Sequence, residues 1–317
     1  MPKGFFSQGL VVLFDRVPGL GELAASIAPR PIVKRIDNGR EWAFGGPSVL
    51  TPFRPEVNGL VSIDIVSRQW PDSMGDPKGD PMVFAAWSMG HFGPYTYPGS
   101  LARATQQSWH WTAAAETVAR HSAFVRVRCS YVFGGRPDAP VLPPDYSPMP
   151  EILFATEVAE AILAVPGALC YFNPNGECLY TREGVSKLVA RHKGTGPAAL
   201  ELWSNVRLFQ VPADSSWLLM DTVGMWQLDV PDHEASFAKR LYDTSEVALF
   251  LRNAADYVCE RGLVIENGDT MDGPGPIRWQ GATFQNGLAD PPRQVLRWLP
   301  LDDLRRPAGM QGDEQGS

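Results

Sequence analysis

Between Ala123 and Phe133 the side chains alternate: Val125, Val127, Cys129 and Tyr131 fall on one side of an extended chain, and Phe124, Arg126, Arg128 and Ser130 on the other. This predicts a strand with one apolar and one basic face. Its arginines must meet either an anionic ligand or the carboxylates of a neighbouring strand, and the second is the commoner fate.

A second alternation, Val61, Ile63 and Ile65 against Ser62 and Asp64, follows the Asn58-Gly59 turn and predicts a strand with one wet face. Leu10–Phe14 reads as a short apolar strand, and Leu20–Ala28 as a helix closed by Pro29 and Pro31. Leu101, Ala104, Ser108, Trp111, Ala115 and Val118 recur at helical spacing and predict one helix from Ser100 to His121. A helix over Pro150–Val165 precedes a hairpin, Leu169–Asn173 and Glu177–Thr181, turned by Pro174-Asn175-Gly176. A short helix from Arg182 to His192 leads to Gly194-Thr195-Gly196-Pro197, which reads as a linker. Beyond it, strands are predicted over Leu200–Val211, Trp217–Thr222, Leu263–Ile265, Ile277–Phe284 and Gln294–Leu299. Among them lies a helix opened by Asp243 and Glu246 and ended at Gly262. Strands and helices intermingle without a beta-alpha-beta rhythm. The expected fold is therefore α+β, with antiparallel or mixed sheets and helices packed mainly on one face. The expected domains are 1–193 and 198–301, followed by a disordered tail over 302–317.

The chain of 317 residues is 44% hydrophobic and 20% charged, which fits a globular protein rather than a disordered one or a coiled coil. Its net charge of -7 repels phosphate backbones and anionic membranes, so a nucleic-acid or membrane-surface binder is not expected. There is neither a signal-peptide pattern nor an apolar run long enough for a membrane span. Cys129, Cys170, Cys178 and Cys259 are widely spaced and read as reduced, mostly buried thiols of a cytoplasmic protein.

Motifs for chemistry are missing. His91, His110 and His121 lack metal-ligand spacing, so no metal is expected. No G-x-S-x-G elbow, Walker or Rossmann glycine pattern occurs; Gly45-Gly46 before Pro47 reads as a turn, and no cofactor is expected. Cys129 shares a face with Val125 and Val127 and reads as a small buried hydrophobe.

Several segments resemble bacterial proteins of the family called domain of unknown function 4261. They are Gln106 to Trp111, His121 to Val127, Glu151-Ile152-Leu153, Pro166 to Leu169, Asn175-Gly176-Glu177, Val223-Gly224-Met225, Pro231-Asp232-His233-Glu234 and Glu266 to Thr270. The resemblance runs from about Trp87 to Thr270, and its C-terminal part reads as the defining region. It implies no activity, cofactor or catalytic residue.

The candidate site is therefore drawn from the residues alone. Gln69–Ser100 is rich in glycine, proline and aromatic residues, too long for an ordinary connection and too aromatic for a disordered one. It either seals one edge of the sheet or presents anchors to a partner. The candidate binding residues are Trp70, Asp72, Asp76 and Asp80 in this segment, Trp109 near it, and Arg126 and Arg128 on the basic strand face. Trp109 and Trp111 point in opposed directions, so one is core; Trp109 either packs under the aromatic segment or stands exposed as an anchor. The expected function is non-catalytic binding of a basic protein partner, as an immunity or adaptor protein does. The rival is an enzyme whose site is assembled from distant polar residues.

Overall fold

The structure, a computed structural model, describes residues 3–37, 45–133, 135, 140–195, 198–302, 304, 306–307 and 310. The chain divides into two compact units, 1–204 and 205–317.

The first unit comprises β1 Gln8–Phe14, α1 Leu20–Ser26, β2 Lys34–Ile36, β3 Ser48–Arg54, β4 Gly59–Val66, α2 Pro81–Ser88, α3 Ser100–Gln106, α4 Ala114–Ala119, β5 Ala123–Ser130, α5 Pro148–Ile162, β6 Ala168–Asn173, β7 Cys178–Tyr180, α6 Arg182–Thr195 and α7 Leu200–Trp203. Its seven strands run in the order β2-β3-β4-β5-β1-β6-β7, and every pairing is antiparallel. β1 is buried along its whole length, which its unbroken apolar run anticipates. α5 lies against β1, β5 and β6, and its Ile152, Ala155, Val158, Ala159 and Ile162 are buried. The other face carries Val11, Leu13, Phe124 and Phe172, and is closed by Trp70, Trp87 and Phe92 with Leu101, Ala104 and Val118.

Both faces of β4 and β5 are thus covered, which corrects the expectation of a wet face: Ser62, Asp64, Arg126, Arg128 and Ser130 are all buried. The predicted helix over Ser100–His121 is likewise broken, with turns at 107–113 between α3 and α4. The break shifts the buried positions from the predicted Ala115 to Ala114, while Val118 stays inward.

The second unit comprises β8 Asn205–Gln210, β9 Trp217–Val223, β10 Asp232–Ala238, α8 Thr244–Arg261, β11 Thr270–Asp272, β12 Arg278–Phe284 and β13 Val295–Pro300. Its strand order is β11-β12-β13-β10-β9-β8; β10 and β13 are parallel and the other neighbours antiparallel. The Asp243 side chain caps α8 by accepting from the Ser245 and Glu246 amides. The helix packs Val247, Phe250, Leu251 and Ala254 against Leu218, Met220, Phe237 and Trp298. Two predicted strands differ: Leu200–Trp203 is helical before β8 begins, and Leu263–Ile265 is irregular. Most of 303–317 lies outside the described residues, although Leu304 and Met310 pack with Trp217 and Leu219.

Candidate functional site

The segment from Trp70 to Ala113 covers one face of the first sheet, and its inner side is an aromatic core. The Trp70 ring meets those of Trp87, Phe92, Phe124 and Phe172 edge-on, at centroid distances of 6.0, 5.1, 5.3 and 5.2 Å. Its amide donates to His121 Nε2 at 3.0 Å, and His121 Nδ1 lies 2.5 Å from the Val118 carbonyl, which sets the tautomer. Trp70 is buried, so this candidate binding residue is a core anchor instead. Asp72 is also used internally. Its two carboxylate oxygens accept from the Leu101 and Ala102 amides at 2.9 and 2.7 Å, satisfying the first turn of α3.

Beneath this cover sit the two candidate arginines. Asp64 on β4 lies opposite Arg126 on β5. Its Oδ2 accepts from Arg126 Nε at 3.0 Å and from Arg126 Nη2, and its Oδ1 accepts from Arg128 Nη2 at 2.9 Å. Both guanidiniums also donate to the His91 carbonyl, at 3.0 and 3.2 Å, and Arg128 stacks on the Phe6 ring. Burial raises the Asp64 carboxyl, but the two arginines outweigh it and hold it below the usual carboxylate range. Burial, reinforced by Arg126, lowers Arg128 to about 9 despite Asp64. Burial and the same two cations lower the His91 imidazole to about 4. Arg126 and Arg128 therefore pair with a neighbouring strand and do not face solvent. Asp64 was visible in the alternation of β4, but periodicity alone does not show that its face is covered.

What remains on the outside is a different set. Asp76 and Asp80 are exposed; Asp76 accepts from the Lys78 amide at 2.9 Å, and Asp80 begins α2. Met82 at the start of α2 and Met89 just past its end are exposed, whereas Val83, Ala86 and Trp87 of the same helix are buried, and Met74 is exposed just before it. Trp109, in the turns between α3 and α4, is 68% exposed, whereas Trp111 packs partly on the aromatic core. Of the two tryptophans, the inward one is Trp111. The methionines carried a signal that motif reasoning missed: three of the nine in the chain fall within 74–89.

The other polar concentrations are closed networks. In the second unit Arg207 forms a two-point pair with Asp221, at 2.9 and 2.6 Å, and Arg293 bridges Asp221 and Asp232 at 2.5 and 3.1 Å. Arg297 Nε donates to Glu234 at 2.5 Å. His233, fully buried, takes Trp298 Nε1–H on its Nδ1 at 3.0 Å, and burial lowers it to about 3. An open cavity of about 330 Å³ in the first unit is lined by Val17, Pro18, Leu20, Ile65, Ser67 and Arg68 among others, and its described lining holds no carboxylate, histidine or cysteine. Among the described residues no three His, Cys, Asp or Glu side chains gather as a metal-binding group. Cys129, Cys170 and Cys178 are free and buried, and Cys259 is free and half-buried. No helix among the described residues is long and apolar enough to cross a membrane.

Residues 221–299, a stretch that holds all of the second unit's buried ion network except Arg207, match the family described as Domain of unknown function (DUF4261). The upstream segments that carried the resemblance, from Gln106 to Glu177, lie outside the match. No curated protein and no solved structure matches the chain.

Proposed function

We propose that the protein acts by binding another protein without catalysis, in the manner of an immunity or adaptor protein, and that the outer side of the 70–113 cover is a contact surface. The observation that carries this reading is that Met74, Met82, Met89 and Trp109 are all exposed on a segment whose inner side packs on the aromatic core. Methionine is unbranched and polarizable and adapts to a partner's relief, while a tryptophan on a fixed scaffold supplies large contact area at small entropic cost. Asp76 and Asp80 beside them favour a partner with basic residues, although Lys78 offsets part of their charge. An enzyme would instead call for polar groups converging on an open cavity, and the buried arginines and acids described above face one another.

The test is affinity capture from the source cell with the wild type and with a Met82→Ser, Met89→Ser, Trp109→Ser variant. Loss of a defined co-eluting protein, with an unchanged melting curve, is the expected outcome. Retention of the same proteins by the variant overturns the assignment of this surface.

A further inference from the structure

Charge is divided unevenly along the chain. Residues 1–204 contain 18 Lys and Arg against 18 Asp and Glu, whereas 205–317 contain 10 against 17, so the whole net charge of -7 resides in the second unit. Its three buried arginines, Arg207, Arg293 and Arg297, are matched by the buried Asp221, Asp232 and Glu234. The excess therefore lies outside that network. Much of it falls in one stretch, since 244–272 holds six acidic residues and two basic ones.

This stretch also exposes apolar side chains. The inner side of α8 is spent on the sheet, while Leu249, Asn253 and Tyr257 are exposed and form a ridge at spacings of four, about 12 Å long at 1.5 Å per residue. The helix ends at Gly262, whose φ of 80° lies in the left-handed region. Ile265 then packs back on the core, but Leu263 and Val264 before it are 68% and 50% exposed. Glu246, Glu260, Glu266 and Asp269, all exposed, flank these apolar groups. Single exposed hydrophobes are ordinary; four on one helix and its exit, in a stretch where six acidic residues outnumber Arg252 and Arg261, are the composition of an interaction surface.

We infer that the outer face of α8, with Leu263 and Val264, is a docking surface for a basic amphipathic segment of a partner protein. The apolar side of such a segment would cover Leu249, Tyr257, Leu263 and Val264, and its lysines and arginines would meet the acidic rim. The same rim repels nucleic acid and anionic lipid, which leaves a basic polypeptide as the complementary occupant. This surface belongs to the second unit, and the inference stands whether or not the 70–113 cover binds anything.

The test uses the full chain, isotope-labelled, and three synthetic helical peptides: a Lys/Leu amphipathic one, its Glu/Leu counterpart, and a lysine-rich one without an apolar face. The Lys/Leu peptide is expected to shift amide resonances within 246–272, and to bind more weakly as salt rises. The Leu263→Ser, Val264→Ser variant should weaken it at least about tenfold, the scale of two apolar side chains left exposed. The Glu260→Lys, Glu266→Lys variant should weaken it as well, and the Glu/Leu peptide should not bind. Absence of binding by the Lys/Leu peptide overturns the inference, as do shifts confined to residues outside 246–272. Equal binding of the lysine peptide without an apolar face also overturns it, because only diffuse charge attraction would then be at work. Shifts confined to 74–113 would overturn this inference while leaving the cover surface intact.

Discussion

Gly9 on β1 and Gly93 in the cover lie so close that a Cβ at position 9 would stand 3.2 Å from the Gly93 Cα. Gly9 also pairs with Arg128 of β5. The missing side chain lets residues 91–93 lie flat on the sheet, and that places the His91 carbonyl over Arg126 and Arg128. Gly9→Val is expected to lift this part of the cover and cost about 1–3 kcal/mol, the usual scale of overpacking. A denaturant midpoint equal to that of the wild type would show that the approach imposes no such constraint.

Asp64 is shared by two buried guanidiniums, those of Arg126 and Arg128. Asp64→Ala leaves both cations unpaired and is expected to destabilise the first unit by about 3–5 kcal/mol. Replacing Asp64, Arg126 and Arg128 together by Leu, Met and Met should cost much less, because no buried charge is then left uncompensated. Comparing the unfolding curves of the single and triple variants separates the value of the pairing from the penalty of breaking it.

His233 is buried in its neutral form, with its pKa lowered from 6.5 to about 3. Below about pH 6.5 the unfolded chain takes up a proton that the folded chain refuses. Stability is therefore complete above that pH and is lost progressively as pH falls toward 3. The slope from one such group is at most about 1.4 kcal/mol per pH unit. His91, lowered to about 4, acts in the same direction. Urea midpoints followed from neutral pH down to about pH 5 should fall for the wild type and fall less steeply for His233→Gln. Parallel slopes would mean that His233 is protonated in the folded state.

Trp70 and Trp109 belong to the same cover and should behave in opposite ways. Trp70→Ala removes the ring that touches four others and is expected to cost about 3–5 kcal/mol. Trp109→Ala, at an exposed position, should change stability by no more than about 0.5 kcal/mol. Calorimetry of the two variants checks both, and a large loss from Trp109→Ala would place that ring in a core contact.

The local patterns identified by themselves those elements whose surroundings repeat at one period. The alternation of β5, the stripe and cap of α8, the hairpin of β6 and β7, and the mixture that makes the fold α+β are all determined by side chains a few residues apart. The same reasoning placed Arg126 and Arg128 on one face of their strand and Asp64, with Ser62, on the polar face of another. Period states which side a residue takes, but it does not state what covers that side. Only the tertiary structure decided that the arginines of β5 lie beneath the His91 carbonyl of the cover, that Asp72 is consumed in satisfying the first turn of α3, and that the helix breaks at 107–113 so that Trp111 turns inward and Trp109 outward. Those outcomes rest on contacts between groups tens of residues apart, such as Asp64 with Arg126 and Gly9 with Gly93. Such contacts depend on which segments the folded chain brings together, and no short-range spacing encodes that.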